Sequence, residues 1–146
     1  MGNTEREISE RLTQIFENVM KIEHEYIVEE MQEKISMTEV HAIAAIGVEE
    51  LGNMSEIAKR LGITMGTLTV CVNNLVKKRY VERYKNEQDR RIVKLGLTKQ
   101  GKAIYKVHEK FHICLTDAMN AGMTESEKLV IGKAISNIEK FIGEGK

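Results

Sequence analysis

Proline is absent from this chain of 146 residues. Every helix must therefore be ended by glycine or by capping side chains rather than by a residue that lacks a backbone N–H. Tryptophan is absent too, and there are only three phenylalanines and four tyrosines. The interior has to be aliphatic, with eight methionines as adaptable filler. Two cysteines, Cys71 and Cys114, are too few for a disulfide framework and do not have zinc-ligand spacing. No apolar run approaches the ~20 residues of a membrane helix, and the first residues, Met1-Gly2-Asn3-Thr4-Glu5-Arg6, lack a signal-peptide core. Arg6 stands where a myristoylation signal has Ser or Thr. A cytoplasmic protein without membrane association is expected. There is also no nucleophile–base constellation, metal-ligand spacing or glycine-rich phosphate loop, so catalytic residues and metal ligands are not expected, and neither is an enzyme.

Net charge is the last absence, with 22 basic and 22 acidic side chains. That balance conceals a strong polarisation. Residues 77–102 hold ten basic side chains against Glu82, Glu87 and Asp89, a net of +7, whereas residues 1–76 hold six basic and thirteen acidic, a net of −7. Lys and Arg concentrated on one stretch are the footprint of a phosphate-binding face.

The length suits one domain over residues 1–146 with a proper core. The spacing predicts a first helix over about 4–30, where Ile8, Leu12, Ile15, Val19, Ile22 and Tyr26 form a heptad seam widened by Phe16, Met20 and Ile27. That seam serves either an ordinary core helix or a dimerisation helix. Ser36-Met37-Thr38-Glu39 has the form of a capping box opening a helix that runs to about Ile46 and stops at Gly47. Ser55 is the expected cap of a short third helix that ends at Gly62, and Thr64 caps a fourth. The tight turn around Gly62 has helix-turn-helix spacing.

At ~100° per residue, Leu68, Cys71, Val72, Leu75 and Val76 of the fourth helix fall on one side. Gly66, Thr69, Val70, Asn73 and Lys77 fall on the other, flanked by Thr67 and Asn74. The outward set is small and able to hydrogen-bond, which suits close approach to base edges. A merely solvated face would carry Glu–Lys pairs instead. Strands are expected over 80–85 and 92–97, joined by an exposed polar loop ending in Asp89-Arg90-Arg91. A hairpin directly after a helix-turn-helix is a wing. Arginine at its tip suits a narrow minor groove, and Asp89 makes sense there if it fixes one guanidinium before DNA arrives. Thr98 should cap a fifth helix to about Ala121, halted by Gly122. Thr124-Glu125-Ser126-Glu127 forms a second capping box before a sixth helix with Ile131, Ile135, Ile138 and Ile142. The fold class expected is mainly α with a small β-hairpin wing, a winged helix-turn-helix over about 36–98 between helical ends at about 4–30 and 99–143.

The chain resembles the MarR family of dimeric winged-helix transcription regulators over essentially its whole length. The resemblance is carried by Leu61-Gly62-Ile63-Thr64, Thr67-Leu68-Thr69, Leu75, Lys77-Lys78, Tyr80-Val81-Glu82-Arg83, Asp89-Arg90-Arg91, Leu97-Thr98 and Gly101. It implies a dimer formed by the N- and C-terminal helices, a pseudo-palindromic double-stranded DNA operator, and no catalysis. The DNA-contacting residues it implies are Thr64, Met65, Gly66, Thr67, Thr69, Val70, Asn73, Asn74 and Lys77 on the recognition helix, with Asp89, Arg90 and Arg91 on the wing. Where the family commonly has glycine just past that helix, this chain has Arg79. A left-handed turn there costs a non-glycine residue ~1 kcal/mol.

Within the family the chain is most similar to the Gram-positive repressors of fatty-acid biosynthesis genes. Ile15-Phe16, Asn18-Val19, Ile22-Glu23, Glu39-Val40-His41, Asn73-Asn74, Glu87-Gln88 and His108 to His112 carry that similarity. It implies acyl chains on acyl carrier protein as corepressor and no other cofactor. The implied pocket draws on Phe16, Val19, Met20, Ile43, Ile46, Phe111 and Leu115, each of which taken singly is more readily plain core, with His41, His108 and His112 as polar groups. Lys106 and Lys110 are candidate contacts for an acidic carrier protein. The alternative is a MarR-type regulator that answers to small phenolic or drug ligands, or to oxidants through its cysteines.

Overall fold

In the computed structural model, which describes residues 2–144, six helices and three short strands follow in the order α1 (Asn3–Met31), α2 (Met37–Ile46), β1 (Gly52–Asn53), α3 (Met54–Leu61), α4 (Met65–Lys77), β2 (Val81–Lys85), β3 (Val93–Leu97), α5 (Lys99–Asn120) and α6 (Glu125–Glu144). The chain divides into two compact units, Met1–Phe111 and His112–Lys146, with the boundary inside α5.

Capping sets most of the helix starts. Ser36 Oγ accepts from the Glu39 N–H while the Glu39 carboxylate accepts from the Ser36 N–H, closing the predicted box. Thr64 caps α4 by accepting from the Thr67 N–H, and Thr98 and Thr124 do the same for Gly101 and Glu127. The third helix corrects the expectation. Asn53, not Ser55, is its cap, in a reciprocal box with Glu56. Asn is at least as strong a cap as Ser, and Asn53 is also held by strand pairing with Lys94. That two-residue strand, absent from the sequence-based expectation, completes a β1-β3-β2 antiparallel sheet. Val81 to Lys85 pair with Leu97 back to Val93.

The first unit has one aliphatic core. Ile27 of α1, Val40, Ile43 and Ile46 of α2, Ile57 of α3, Leu68, Val72 and Leu75 of α4, Val81 and Leu95 of the sheet, and Ile104 of α5 are all essentially inaccessible to solvent. Each such side chain contributes roughly 1.5–3 kcal/mol by leaving water. α2 packs against both α3 and α4, and α4 leads directly onto β2. The second unit carries the C-terminal part of α5 and α6, and no residue of α6 is buried.

Arg79 adopts the left-handed conformation that its position demands, with φ of 64°. The Tyr80 N–H donates to the Leu75 carbonyl and the Arg79 N–H to that of Val76, the paired bonds of a Schellman ending. Thr98 Oγ1 donates to the Arg79 carbonyl at 2.6 Å, so the turn is clamped by the residue between β3 and α5. Close approach also explains Gly101. A Cβ there would lie 2.0 Å from the Tyr80 carbonyl oxygen.

Candidate nucleic-acid interface

The amphipathic reading of α4 holds residue by residue. Leu68, Cys71, Val72 and Leu75 are buried and Val76 half-buried, while Thr64, Met65, Gly66, Thr67, Thr69, Val70, Asn73, Asn74 and Lys77 are exposed. At the N-terminal end Thr64 Oγ1 donates to Thr67 Oγ1 at 3.0 Å, and Thr69 Oγ1 donates to the Met65 carbonyl at 2.8 Å. The threonine rotamers at this end of the face are thus set by bonds local to the helix. The N-terminus of a 13-residue helix adds partial positive charge where a phosphate would arrive.

Midway along the same face, Asn73 Oδ1 accepts from the Arg83 guanidinium, which reaches across from β2. This contact links the helix to the wing and orients the Asn73 amide. Sequence reasoning placed Arg83 in the basic window and in the family motif, without assigning it a partner. The signal was its place in β2 directly after the helix, but a side chain's reach across that corner depends on the path of the chain at Arg79.

Lys78, one of the basic residues of the 77–102 stretch, does not point with Lys77 toward a DNA target. Its ammonium donates to both Glu39 carboxylate oxygens at 2.9 Å and to the Lys34 carbonyl at 3.3 Å. Glu39 is nearly buried. Lys78 therefore serves the interior, tying α4 to the start of α2.

The hairpin tip is ordered by Asp89. The Arg91 backbone N–H and Nε both donate to Asp89 Oδ1 at 3.1 Å, and Nη2 donates to Oδ2 at 3.2 Å. These hydrogen bonds from the Arg91 side chain, then its backbone, hold the Asp89 carboxyl below the usual carboxylate range. The Arg91 side chain stays 91% exposed. It is held in place and presented to solvent together. Arg90 is exposed beside it, and Asn86 Oδ1 accepts from the Gln88 N–H to shape the preceding bend.

The residues expected at an effector pocket occupy different environments. Ile43 and Ile46 are sealed in the core, Phe16 and Met20 stand exposed on α1, and Val19 is half-buried. Phe111 packs on Tyr26 with ring centroids 5.6 Å apart. His112 and Leu115 lie on the second unit's part of α5, both exposed, as are Lys106 and Lys110. His41 and His108 meet edge to face at 6.3 Å, and His108 Nε2 lies 3.0 Å from Glu23 Oε1. Glu23 is buried at 3% exposure. The available signal was its helical phase, since Met20, Glu23 and Ile27 share one side of α1. Cys71 is buried, and desolvation, then the negative charge of Glu39, push its thiol up against a lowering influence of Lys78, which makes it a poor oxidant sensor. Among the described residues no helix is long and apolar enough to cross a membrane.

A model of the MarR family matches residues 35–93. The crystal structure of Streptococcus pneumoniae FabT in complex with DNA is 40% identical, covers 97% of this chain and 99% of that one, and superposes with a TM-score of 0.83. A mutant of MepR from Staphylococcus aureus, at 20% identity, covers 94% of this chain and 97% of its own with a TM-score of 0.67, a likeness of fold. Of the curated relatives, the transcriptional regulator PchR of Bacillus subtilis is 30% identical over 77 residues, 53% of this chain and 46% of its own length. SarZ of Staphylococcus aureus is 29% identical over 102 residues, 70% and 66% respectively. The match therefore spans between about half and two thirds of these two curated relatives.

Proposed function

This chain belongs to the MarR family, and on that footing we propose that it is a cytoplasmic, homodimeric transcription repressor that binds DNA. The observation that carries this reading is the pairing, in one compact unit, of an exposed Thr/Asn face on α4 with a wing whose Arg91 is held ready by Asp89. α4 enters the major groove, where Asn73 and Asn74 are suited to adenine edges and Val70 to thymine methyls. Arg90 and Arg91 reach the flanking minor groove. Two copies read a pseudo-palindrome with half-sites about one helical turn apart. Dimerisation is supported by apolar side chains that the single chain leaves uncovered, Ile8, Ile15 and Ile22 on α1 and Leu129 and Phe141 on α6. Operator binding measured by fluorescence anisotropy against salt tests this. A steep fall of log K with log salt is expected, and a flat slope overturns it.

The finer reading is repression of fatty-acid biosynthesis genes with acyl chains on acyl carrier protein as corepressor. Its support is the similarity of motif noted in the sequence together with 40% identity to FabT over nearly the full length of both chains. The exposed Phe16 and Met20 on α1 are apolar groups such a chain can cover. Anisotropy titrations with and without long-chain acyl carrier protein decide it. A rise in operator affinity is expected, and no change with any acyl length sinks the corepressor role.

A further inference from the structure

We propose that Glu23, His41 and His108 form a binding site for a divalent transition-metal ion of the Zn2+ class, built by α1, α2 and α5 inside the first unit. One ligand atom from each residue lies within 4.8 Å of the other two. Glu23 Oε1 and His108 Nε2 are 3.0 Å apart, and the two imidazole rings meet edge to face. Tetrahedral zinc, with bonds of ~2 Å, spaces its donor atoms ~3.3 Å apart. Closure on an ion therefore takes modest side-chain rotation rather than rearrangement of the helices.

The charges point the same way. A carboxylate as buried as Glu23 needs a compensating cation or several hydrogen bonds. Two imidazoles, His41 and His108, lie close to it, and imidazoles bind metals in their neutral form. Held by one carboxylate and two neutral-form imidazole ligands, a divalent ion makes a site of net charge +1, with an open position for water or an exchangeable ligand. Two histidines with one carboxylate favour zinc and its neighbours, whereas calcium and magnesium take oxygen donors. A simple carboxylate–imidazole pair accounts for Glu23 and His108 but gives His41 no task. Three helices distant in sequence contribute one ligand each, so an ion here pins α1, α2 and α5 together. Because α2 also packs on α4, occupancy sets the floor beneath the exposed α4 face. That last consequence rests on the DNA-binding reading, whereas ion binding does not.

The test uses full-length protein stripped with EDTA and titrated with Zn2+ against a chromophoric chelator, then with Co2+ by visible spectroscopy. One ion per chain is expected, with Co2+ d–d bands and no thiolate charge transfer, and with a raised thermal midpoint in Zn2+. Glu23→Gln and His41→Ala, checked for folding by circular dichroism, should each weaken binding by more than the ~10–100-fold that loss of a mere supporting partner costs. His24→Ala should leave it unchanged, since that neighbouring imidazole contacts the Ile35 carbonyl instead, at 2.7 Å. Failure of the wild type to bind at micromolar Zn2+, a thiolate band, or equal damage from His24→Ala overturns the site. If Glu23→Gln does not fold, the comparison of His41→Ala with His24→Ala still decides. A change of operator affinity on adding Zn2+ supports the coupling to α4, and an unchanged affinity overturns that coupling while leaving the site intact.

Discussion

Two carboxylate–cation pairs at the two ends of the DNA-facing half make an instructive contrast. At the wing tip, Asp89 and Arg91 meet in solvent, with the arginine side chain 91% exposed. Beneath α4, Glu39 and Lys78 meet where the carboxylate side chain is only 10% exposed. The chemistry is nearly the same and the consequences differ. Water and salt screen the first pair, so it adds little to stability and serves to place a guanidinium. The second is a stability element, because removing Lys78 strands the Glu39 carboxylate in a poorly hydrated place. A basic side chain near a recognition helix is thus not automatically a DNA contact.

Lys78→Met tests the interior half of this contrast and carries the largest expected effect. It should lower stability by ~3 kcal/mol, the low end for a broken buried pair, because Lys78 is partly hydrated. Urea denaturation measures this, and a loss below half of that would place Glu39 in better contact with water than its burial implies. Arg91→Ala tests the exterior half. Operator affinity should drop about tenfold, ~1.4 kcal/mol, while the denaturation midpoint stays within ~0.5 kcal/mol of the parent. Comparable losses of both properties would erase the distinction between tip and interior.

Arg79→Gly sits between the two regions. Relief of its left-handed backbone should raise stability by up to ~1 kcal/mol, seen as a higher melting temperature. An unchanged or lower value would mean that the greater freedom of glycine in the unfolded chain offsets the relief. The smallest effect concerns the Asp89 carboxyl, whose folded pKa is depressed chiefly by the Arg91 side chain. Ordering of the tip is then present above the ordinary carboxylate pKa and lost as pH falls through the depressed one. Carbon-detected NMR titration should show Asp89 titrating below its ordinary range, and moving up toward that range in Arg91→Ala, whose backbone N–H still donates to the carboxylate.

Local rules made much of this legible in advance. The heptad period announced α1 and α6, and the boxes at Ser36 and Thr124 marked where α2 and α6 begin. The ~100° wheel sorted α4 correctly into buried and exposed residues. The Asp89–Arg91 tie followed from charge chemistry two residues apart. The misses have physical causes as well. Ser55 lost the capping role to Asn53 because β1 pairing with Lys94 holds Asn53 in an extended conformation. β1 is two residues long and owes its existence to a partner more than forty positions away.

By itself, then, the sequence determined helix periods and most helix starts, the polarity of α4 and the concentration of positive charge around the wing. All of these depend on residues a few positions apart. Only the tertiary structure decided that Lys78 turns inward to Glu39, that Arg83 meets Asn73, and that Glu23, His41 and His108 converge. Those outcomes require segments remote along the chain to be packed at fixed distances. A one-dimensional pattern does not encode such distances until the core has closed around Ile27, Ile43 and Ile104.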